Sequence, residues 1–369
     1  MKKEHTALIA MSGGVDSSVA AYLMKEAGYE CEGTTMRLFH NEDIGMSIME
    51  PCCSASESGD AAAVASKLGI PYEVKDFTPA FKEKVIDKFI HTYESGGTPN
   101  PCIDCNRYLK FEKLMDFAAE KGLYYVVTGH YARIGFDEGS GRWYLRKARN
   151  LSKDQSYVLW SLTQEQLAHI KFPLGKISSK DETRRIAASL GFVNAQKKES
   201  QDICFVPDGD YVKFMESYTG RTYGAGNFID TSGNVIGRHK GAVHYTIGQR
   251  KGLGYAAGHP VYVCAKSIKD NTVTLGEESD LYSRSLTASE INWISIPQPD
   301  TPVRVLAKTR YHQQEQPATV HVISPDGSIR IDFDEPQRAI TVGQAVVMYS
   351  YDGSGIVIGG GTISSAIRS

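Results

Sequence analysis

A short polar lead gives way to the apolar run Ala7–Ala10, which passes through Ser12-Gly13-Gly14-Val15-Asp16-Ser17-Ser18 into helical spacing from Val19 to Lys25. Up to about residue 200 the pattern keeps alternating between strand and helix. Strands are predicted at 29–36, 72–76 and 124–128, and helices at 56–68, 81–95 and 108–121. That alternation reads as an α/β domain built on a parallel sheet. Tyr131–Ile134 and Trp143–Arg146, separated by Asp137-Glu138-Gly139-Ser140-Gly141, read as an antiparallel hairpin added to the sheet. Residues from about 207 to 275 are rich in Gly, and from about 282 short alternating runs such as Val303–Thr309 and Thr319–Ile323 predict a small β-barrel. The expected domains are therefore 1–206, 207–281 and 282–369. In an open α/β sheet the ligand lies at the carboxyl ends of the strands, where the Ser12 loop, Met36 and Gly129-His130 all emerge.

The 369 residues suffice for two or three domains with ordinary cores. No stretch approaches the ~20 apolar residues of a membrane span, so no membrane partner is expected and a cytoplasmic location is. Lys and Arg total 41 against 43 Asp and Glu, so a polyanion must be met by a local patch. The segment from Lys176 to Lys251 is such a patch, being net positive in a chain whose formal charge is −2. Seven Cys with no export signal point to thiols used in catalysis or metal binding rather than to a disulfide scaffold.

Ser12-Gly13-Gly14-Val15-Asp16-Ser17 joins a strand to a helix, where backbone N–H groups and the helix dipole favour an anion. The loop lacks the Lys that holds the β and γ phosphates in kinase-like NTPases. It is similar instead to the S-G-G-x-D-S pyrophosphate loop of enzymes that cleave ATP between its α and β phosphates and adenylate a substrate. Gly97–Asn106 carries two thiols, Cys102 and Cys105, on a Pro-containing loop expected just ahead of the helix 108–121, where a nearby helix N-terminus would favour the thiolate. A third thiol, Cys204, falls where the α/β pattern ends. Cys31 and Cys264 read as strand core, Cys52-Cys53 receives no role, and His239, His244 and His259 lack metal-ligand spacing.

The loop at Ser12, Thr98-Pro99-Asn100-Pro101, Thr128-Gly129-His130-Tyr131, Lys153-Asp154-Gln155-Ser156-Tyr157, Ile203-Cys204-Phe205, Gly248–Gly254 and Thr309-Arg310-Tyr311 occur in one order across the whole chain. Together they resemble the bacterial tRNA-specific 2-thiouridylases of the pyrophosphate-loop (adenine nucleotide alpha hydrolase-like) superfamily. The resemblance implies replacement of the C2 oxygen of the wobble uridine, position 34, by sulfur in tRNAs for Lys, Glu and Gln. It implies that Ala10, Met11, Ser12, Gly13, Gly14, Val15, Asp16 and Ser17, with Met36 and Gly129, hold ATP and its Mg²⁺. Asn100, Pro101 and Cys102 would face the target base, and His130, Lys153, Asp154, Gln155, Arg310, Tyr311 and Gln344 would contact tRNA. Cys105 matches the nucleophile and Cys204 the persulfide carrier, charged by a cysteine desulfurase or a relay of sulfur carriers.

Cys102 stands where an Asp is common in that family. Cys102, Cys105 and Cys204 would accordingly also suit a [4Fe-4S] cluster whose open iron binds hydrosulfide, whereas a structural Zn²⁺ site would lack a fourth ligand. Two other readings cover part of the pattern. A pyrophosphate-loop synthetase acting on a small molecule would not depend on tRNA, and a non-catalytic tRNA-binding sulfur carrier would not need an intact Asp16.

Overall fold

The computed structural model describes residues 3–40, 53–197, 203–206, 208–325 and 327–367. Cys52 and Ser200-Gln201-Asp202 lie outside them. The first sheet contains β1 (Thr6–Ala10), β2 (Glu30–Arg37), β3 (Tyr72–Asp76) and β4 (Tyr125–Val127). β5 (Ala132–Asp137) and β6 (Arg142–Lys147) form a separate two-stranded sheet, and β7 (Ile170–Lys171) then returns to the edge beside β4. The order β3-β2-β1-β4-β7 is parallel throughout. Ala7, Leu8 and Ile9 of β1 are wholly buried, as befits a central strand covered by helices on both faces. The chain runs outward from β1 to β3 and comes back to β4 on the other side of β1, so the crevice opens between the carboxyl ends of β1 and β4.

The hairpin does not extend the parallel sheet, contrary to the expectation. Its backbone partners lie elsewhere: Arg146 bridges to Ile356, and Lys147 N–H donates to the Gly355 carbonyl at 2.9 Å. Leu145 shares an apolar cluster with Ile294, Val347 and Val357, so the hairpin fastens the first domain to the barrel. The sequence also conceals β7, whose two residues are too short for any period.

The Gly-rich middle folds as β8 (Gly226–Ile229), β9 (Val235–His239), β10 (Tyr262–Ser267) and β11 (Thr272–Gly276), in the order β10-β11-β8-β9. The last six strands close a barrel, as its alternating pattern predicts. They are β12 (Tyr282–Trp293), β13 (Val303–Lys308), β14 (Gln316–Val322), β15 (Ile329–Arg338), β16 (Ala345–Ser350) and β17 (Val357–Ile367). Leu286, Val305, Val320, Ile331, Val346 and Met348 fill it. Among the described residues no helix is long and apolar enough to cross a membrane. Cys31 and Cys264 are buried on strands, as expected.

Arg310 ties the middle domain to the barrel. Its Nη2 lies 3.1 Å from the Ile247 carbonyl, 2.9 Å from the Ala339 carbonyl and 2.9 Å from Thr341 Oγ1. Removing a half-buried cation from carbonyls that then lack a donor costs about 1.5–3 kcal/mol. Arg310→Met is expected to lower the unfolding midpoint in denaturant accordingly, with the slope of the transition unchanged.

Candidate active site

The helix Val15–Glu26 starts without a side-chain cap, leaving first-turn N–H groups at the mouth of the crevice. Gly13 reaches that start through a left-handed φ of 71°, which a side chain rarely adopts. Ser17 and Ser18 each donate their hydroxyl to the Gly14 carbonyl at 3.0 Å, and Asn194 Nδ2 donates to the Gly13 carbonyl and Ser18 Oγ at 2.9 Å. Gly129, following β4, packs directly against this turn. A Cβ there would stand 2.8 Å from both the Asp16 carbonyl carbon and the Ser17 nitrogen. Asp16 accepts from Lys180 Nζ at 2.7 Å and from Tyr131 Oη at 2.7 Å, and Tyr131 Oη lies 2.9 Å from Thr183 Oγ1. Lys180 and Asn194 were not singled out in the sequence. The signal at Lys180 is a cation in the first turn of the helix Lys180–Ser189, where the dipole disfavours it unless an anion is close.

The two-thiol segment is not a loop ahead of a helix. The helix begins at Pro101, so Cys102 and Cys105 already lie on it, and Tyr108, the expected start, lies in its interior. Over Cys105–Lys113 the winding is π, with the Leu114 N–H donating to the Leu109 carbonyl five residues back. One side of this helix sends Leu109, Leu114 and Phe117 into the core under the parallel sheet, and another sends Ile103 and Phe111 into the core shared with the barrel. The preceding strap is held by the barrel: Thr98 N–H donates to the Val342 carbonyl at 2.8 Å, and Gln344 Nε2 donates to the Thr98 and Pro99 carbonyls at 3.0 Å.

Cys204 reaches the same place from 99 residues away in sequence. Phe205 is buried edge-on against Phe81 and Phe89, while Ile203 packs at the margin of the core that also receives Ala10, Met36 and Cys105. Cys204 is thereby left exposed rather than buried between its apolar neighbours. Cys102 is also exposed and Cys105 half-buried, and all three are free thiols.

The expected thiolate stabilisation is absent. Crowding by the surrounding protein pushes the Cys204 thiol up to about 12, with Cys105 and Cys102 adding to the rise, and desolvation likewise raises Cys102 and Cys105. The buried Asp104 carboxylate, paired with Lys88 Nζ at 2.7 Å, opposes thiolate formation at both Cys102 and Cys105. Lys110 is the cation that lowers all three. The thiols converge without forming a ligand set: among the described residues no group of three His, Cys, Asp or Glu side chains could hold a metal ion.

The remaining site expectations fall in two groups. His130 is buried, shares a 2.6 Å hydrogen bond with Thr128 Oγ1, and is held neutral by burial and by Lys110. Asp154 accepts from the Ala148 N–H at 2.8 Å and from Ser156 Oγ at 2.6 Å, Gln155 Oε1 accepts from the Tyr131 N–H at 2.9 Å, and Tyr311 Oη donates to the Asp154 carbonyl at 3.0 Å. These side chains, with Arg310 and Gln344, knit the loops around the thiols. Lys153 is half-buried on the same loop, and Asn100 is half-buried at the start of the two-thiol helix. Beyond them Arg238, Lys240, Arg250 and Lys251 of the middle domain are exposed, and among the described residues no carboxylate pairs with them.

Three family models cover nearly the whole chain: a tRNA methyl transferase HUP domain at residues 5–208, a tRNA methyl transferase PRC-barrel domain at 212–277 and an aminomethyltransferase β-barrel domain at 283–363. Curated relatives match end to end. The tRNA-specific 2-thiouridylase MnmA of Clostridioides difficile is 48% identical over 360 residues, covering 98% of each chain. The tRNA-specific 2-thiouridylase MnmA 1 of Thermoanaerobacter pseudethanolicus is 48% identical over 369 residues, covering all of both. The tRNA-specific 2-thiouridylase MnmA of Symbiobacterium thermophilum is 49% identical over 365 residues, covering 98% of this chain and 92% of that one.

Proposed function

The chain belongs to the tRNA-specific 2-thiouridylase family and is an ATP-using tRNA-uridine 2-sulfurtransferase, and we propose how its own residues carry out that exchange at the wobble uridine. The observation that supports the reading best is the packing of Ile203 and Phe205 on the core that also receives Cys105, Ala10 and Met36. That packing supports a reading in which two thiols distant in sequence meet near the pyrophosphate loop.

The C2 oxygen of uracil is a poor leaving group. ATP enters as its magnesium complex, with its phosphates on the uncapped helix start after Gly14, and Lys180 and Asp16 at their edge. The uridine O2 attacks the α phosphorus, and the bond to the bridging oxygen breaks to release pyrophosphate. The base is then activated as its O2-adenylate. To arrive there it leaves the anticodon stack, as targets of base-modifying enzymes do, and meets Asn100 and Pro101 on a strap that Gln344 and Val342 keep rigid. The terminal sulfur of a Cys204 persulfide attacks C2, and the C2–O bond breaks with AMP departing. The Cys105 thiolate attacks Cys204 Sγ, the S–S bond to the transferred sulfur breaks, and that sulfur remains on C2. The products are 2-thiouridine, AMP, pyrophosphate and a Cys105–Cys204 disulfide, which a dithiol reductant reopens with two electrons. Arg238, Lys240, Arg250 and Lys251 would meet tRNA phosphates in a salt-dependent way. The persulfide is supplied by a cysteine desulfurase or a sulfur relay, in the cytoplasm.

The test combines the chain with unmodified tRNA, MgATP, cysteine, a cysteine desulfurase and a dithiol, and reads the wobble nucleoside by mass spectrometry. Thiouridine, AMP and pyrophosphate are expected in equal amounts. Pyrophosphate release that needs no tRNA would overturn the reading in favour of a small-molecule synthetase, and tRNA binding without AMP formation would favour a carrier.

A further inference from the structure

We propose that Lys110 is a further residue of the sulfur-transfer step, the cation that holds the persulfide and thiolate anions of Cys204 and Cys105 in place. The inference rests on the thiol-relay reading above and concerns a side chain to which that reading gives no role.

Two geometric observations carry it. Cys105 and Lys110 are five residues apart, and the helix between them is wound π, with i to i−5 hydrogen bonding. That winding stacks positions i and i+5 along one face, whereas in an α-helix five residues turn the side chain about 140° away from the first. The local unwinding therefore sets the Lys110 ammonium along the face that carries the Cys105 thiol.

The second observation is that Lys110 is half-buried and, among the described residues, no carboxylate or other acceptor pairs with it. Its neighbours Lys88 and Arg107 on the same surface both face an acid, Asp104 at 2.7 Å and Glu290 at 3.9 Å. The groups that its charge shifts are the three thiols and His130. Burial keeps His130 neutral, so it does not compete for the anion. Asp104, which opposes a thiolate, is already engaged by Lys88. An anion on sulfur is thus the partner the site offers Lys110, and it exists only during transfer. Stabilisation confined to the reacting state accelerates the step without tightening substrate binding.

The experiment separates the two halves of the reaction. Wild type, Lys110→Met, Lys110→Gln and Lys110→Arg are compared for tRNA affinity, tRNA-dependent pyrophosphate release in a single turnover, thiouridine formation and thermal unfolding. Wild-type thiouridine formation establishes the underlying function independently, and its absence would sink the thiolation reading rather than this one. In Lys110→Met and Lys110→Gln, affinity and pyrophosphate release are expected within about 2-fold of wild type while thiouridine formation falls roughly 10²-fold, the scale of one electrostatic contact made in a transition state. Lys110→Arg, which keeps the charge, is expected to recover most of the loss. Thiouridine formation unchanged in both neutral variants would overturn the proposal. So would an equal fall in pyrophosphate release and thiouridine, because the charge would then serve adenylation or packing.

Discussion

Cys204→Ala and Cys105→Ala are each expected to abolish thiouridine formation, by roughly 10⁴-fold or more, the scale of deleting a catalytic nucleophile. tRNA affinity and tRNA-dependent pyrophosphate release should stay within about 2-fold of wild type. The structural reason for that separation is that neither thiol bears weight in the fold. Cys204 is exposed while Ile203 and Phe205 anchor its segment, and Cys105 is half-buried at the margin of a core filled by Leu109, Leu114 and Phe117. The two variants differ in where sulfur stops. In Cys204→Ala no persulfide forms at that position, whereas in Cys105→Ala the sulfur is loaded but not resolved: without tRNA the Cys204 peptide gains one sulfur, about 32 Da, and with tRNA and ATP Cys204 stays joined through that sulfur to C2 as a covalent tRNA adduct. Cys102→Ala should retain activity with a persulfide donor, because the relay does not use that sulfur. If Cys102→Ala instead lost all thiolation together with iron-dependent colour in anaerobically prepared protein, the three cysteines would be acting as one ligand set and the relay would be wrong.

Much of this centre was legible in the chain, and what was not has identifiable physical causes. The pyrophosphate loop declared itself because a buried strand, two glycines and a helix start leave little room for another reading, and the structure brings Gly129 against that turn. The barrel was legible because its strands alternate between a filled interior and solvent. The hairpin at β5 and β6 was read as a hairpin but set on the wrong partner, since a two-stranded unit carries no mark of which sheet it joins. The helix start at Pro101 is hidden in the sequence because proline marks a loop and a first helical turn equally well. The difference matters chemically, since two thiols ahead of a helix would have favoured thiolates, whereas desolvation by the surrounding protein raises both. Lys110 was invisible for a related reason. At α-helical spacing it lies away from Cys105, and only the π winding, which no residue pattern announces, puts the two on one face.

Gly129→Ala is expected to raise the Michaelis constant for ATP, or lower the adenylation rate, by about 10²-fold while the protein stays folded. The added Cβ would sit 2.8 Å from the Asp16 carbonyl carbon and the Ser17 nitrogen, both backbone atoms that no rotamer change can move. Overpacking of this kind costs about 1–3 kcal/mol and is relieved by displacing one of the two segments. The segment able to yield is the turn at Gly14–Ser17, because β4 behind Gly129 is fixed between β1 and β7. A shift of that turn moves the free N–H groups at the helix start away from the pyrophosphate and loosens the grip of Tyr131 and Lys180 on Asp16. Displacement by an ångström at a positioning element is enough for a loss of about 10²-fold. The measurement is tRNA-dependent pyrophosphate release across ATP concentrations, with persulfide formation on Cys204 as the control. Sulfur loading needs neither ATP nor the turn and should remain at the wild-type level. Equal impairment of both would mean that the substitution disturbs the whole domain, and unchanged adenylation would mean that the turn and Gly129 separate without consequence for the phosphates.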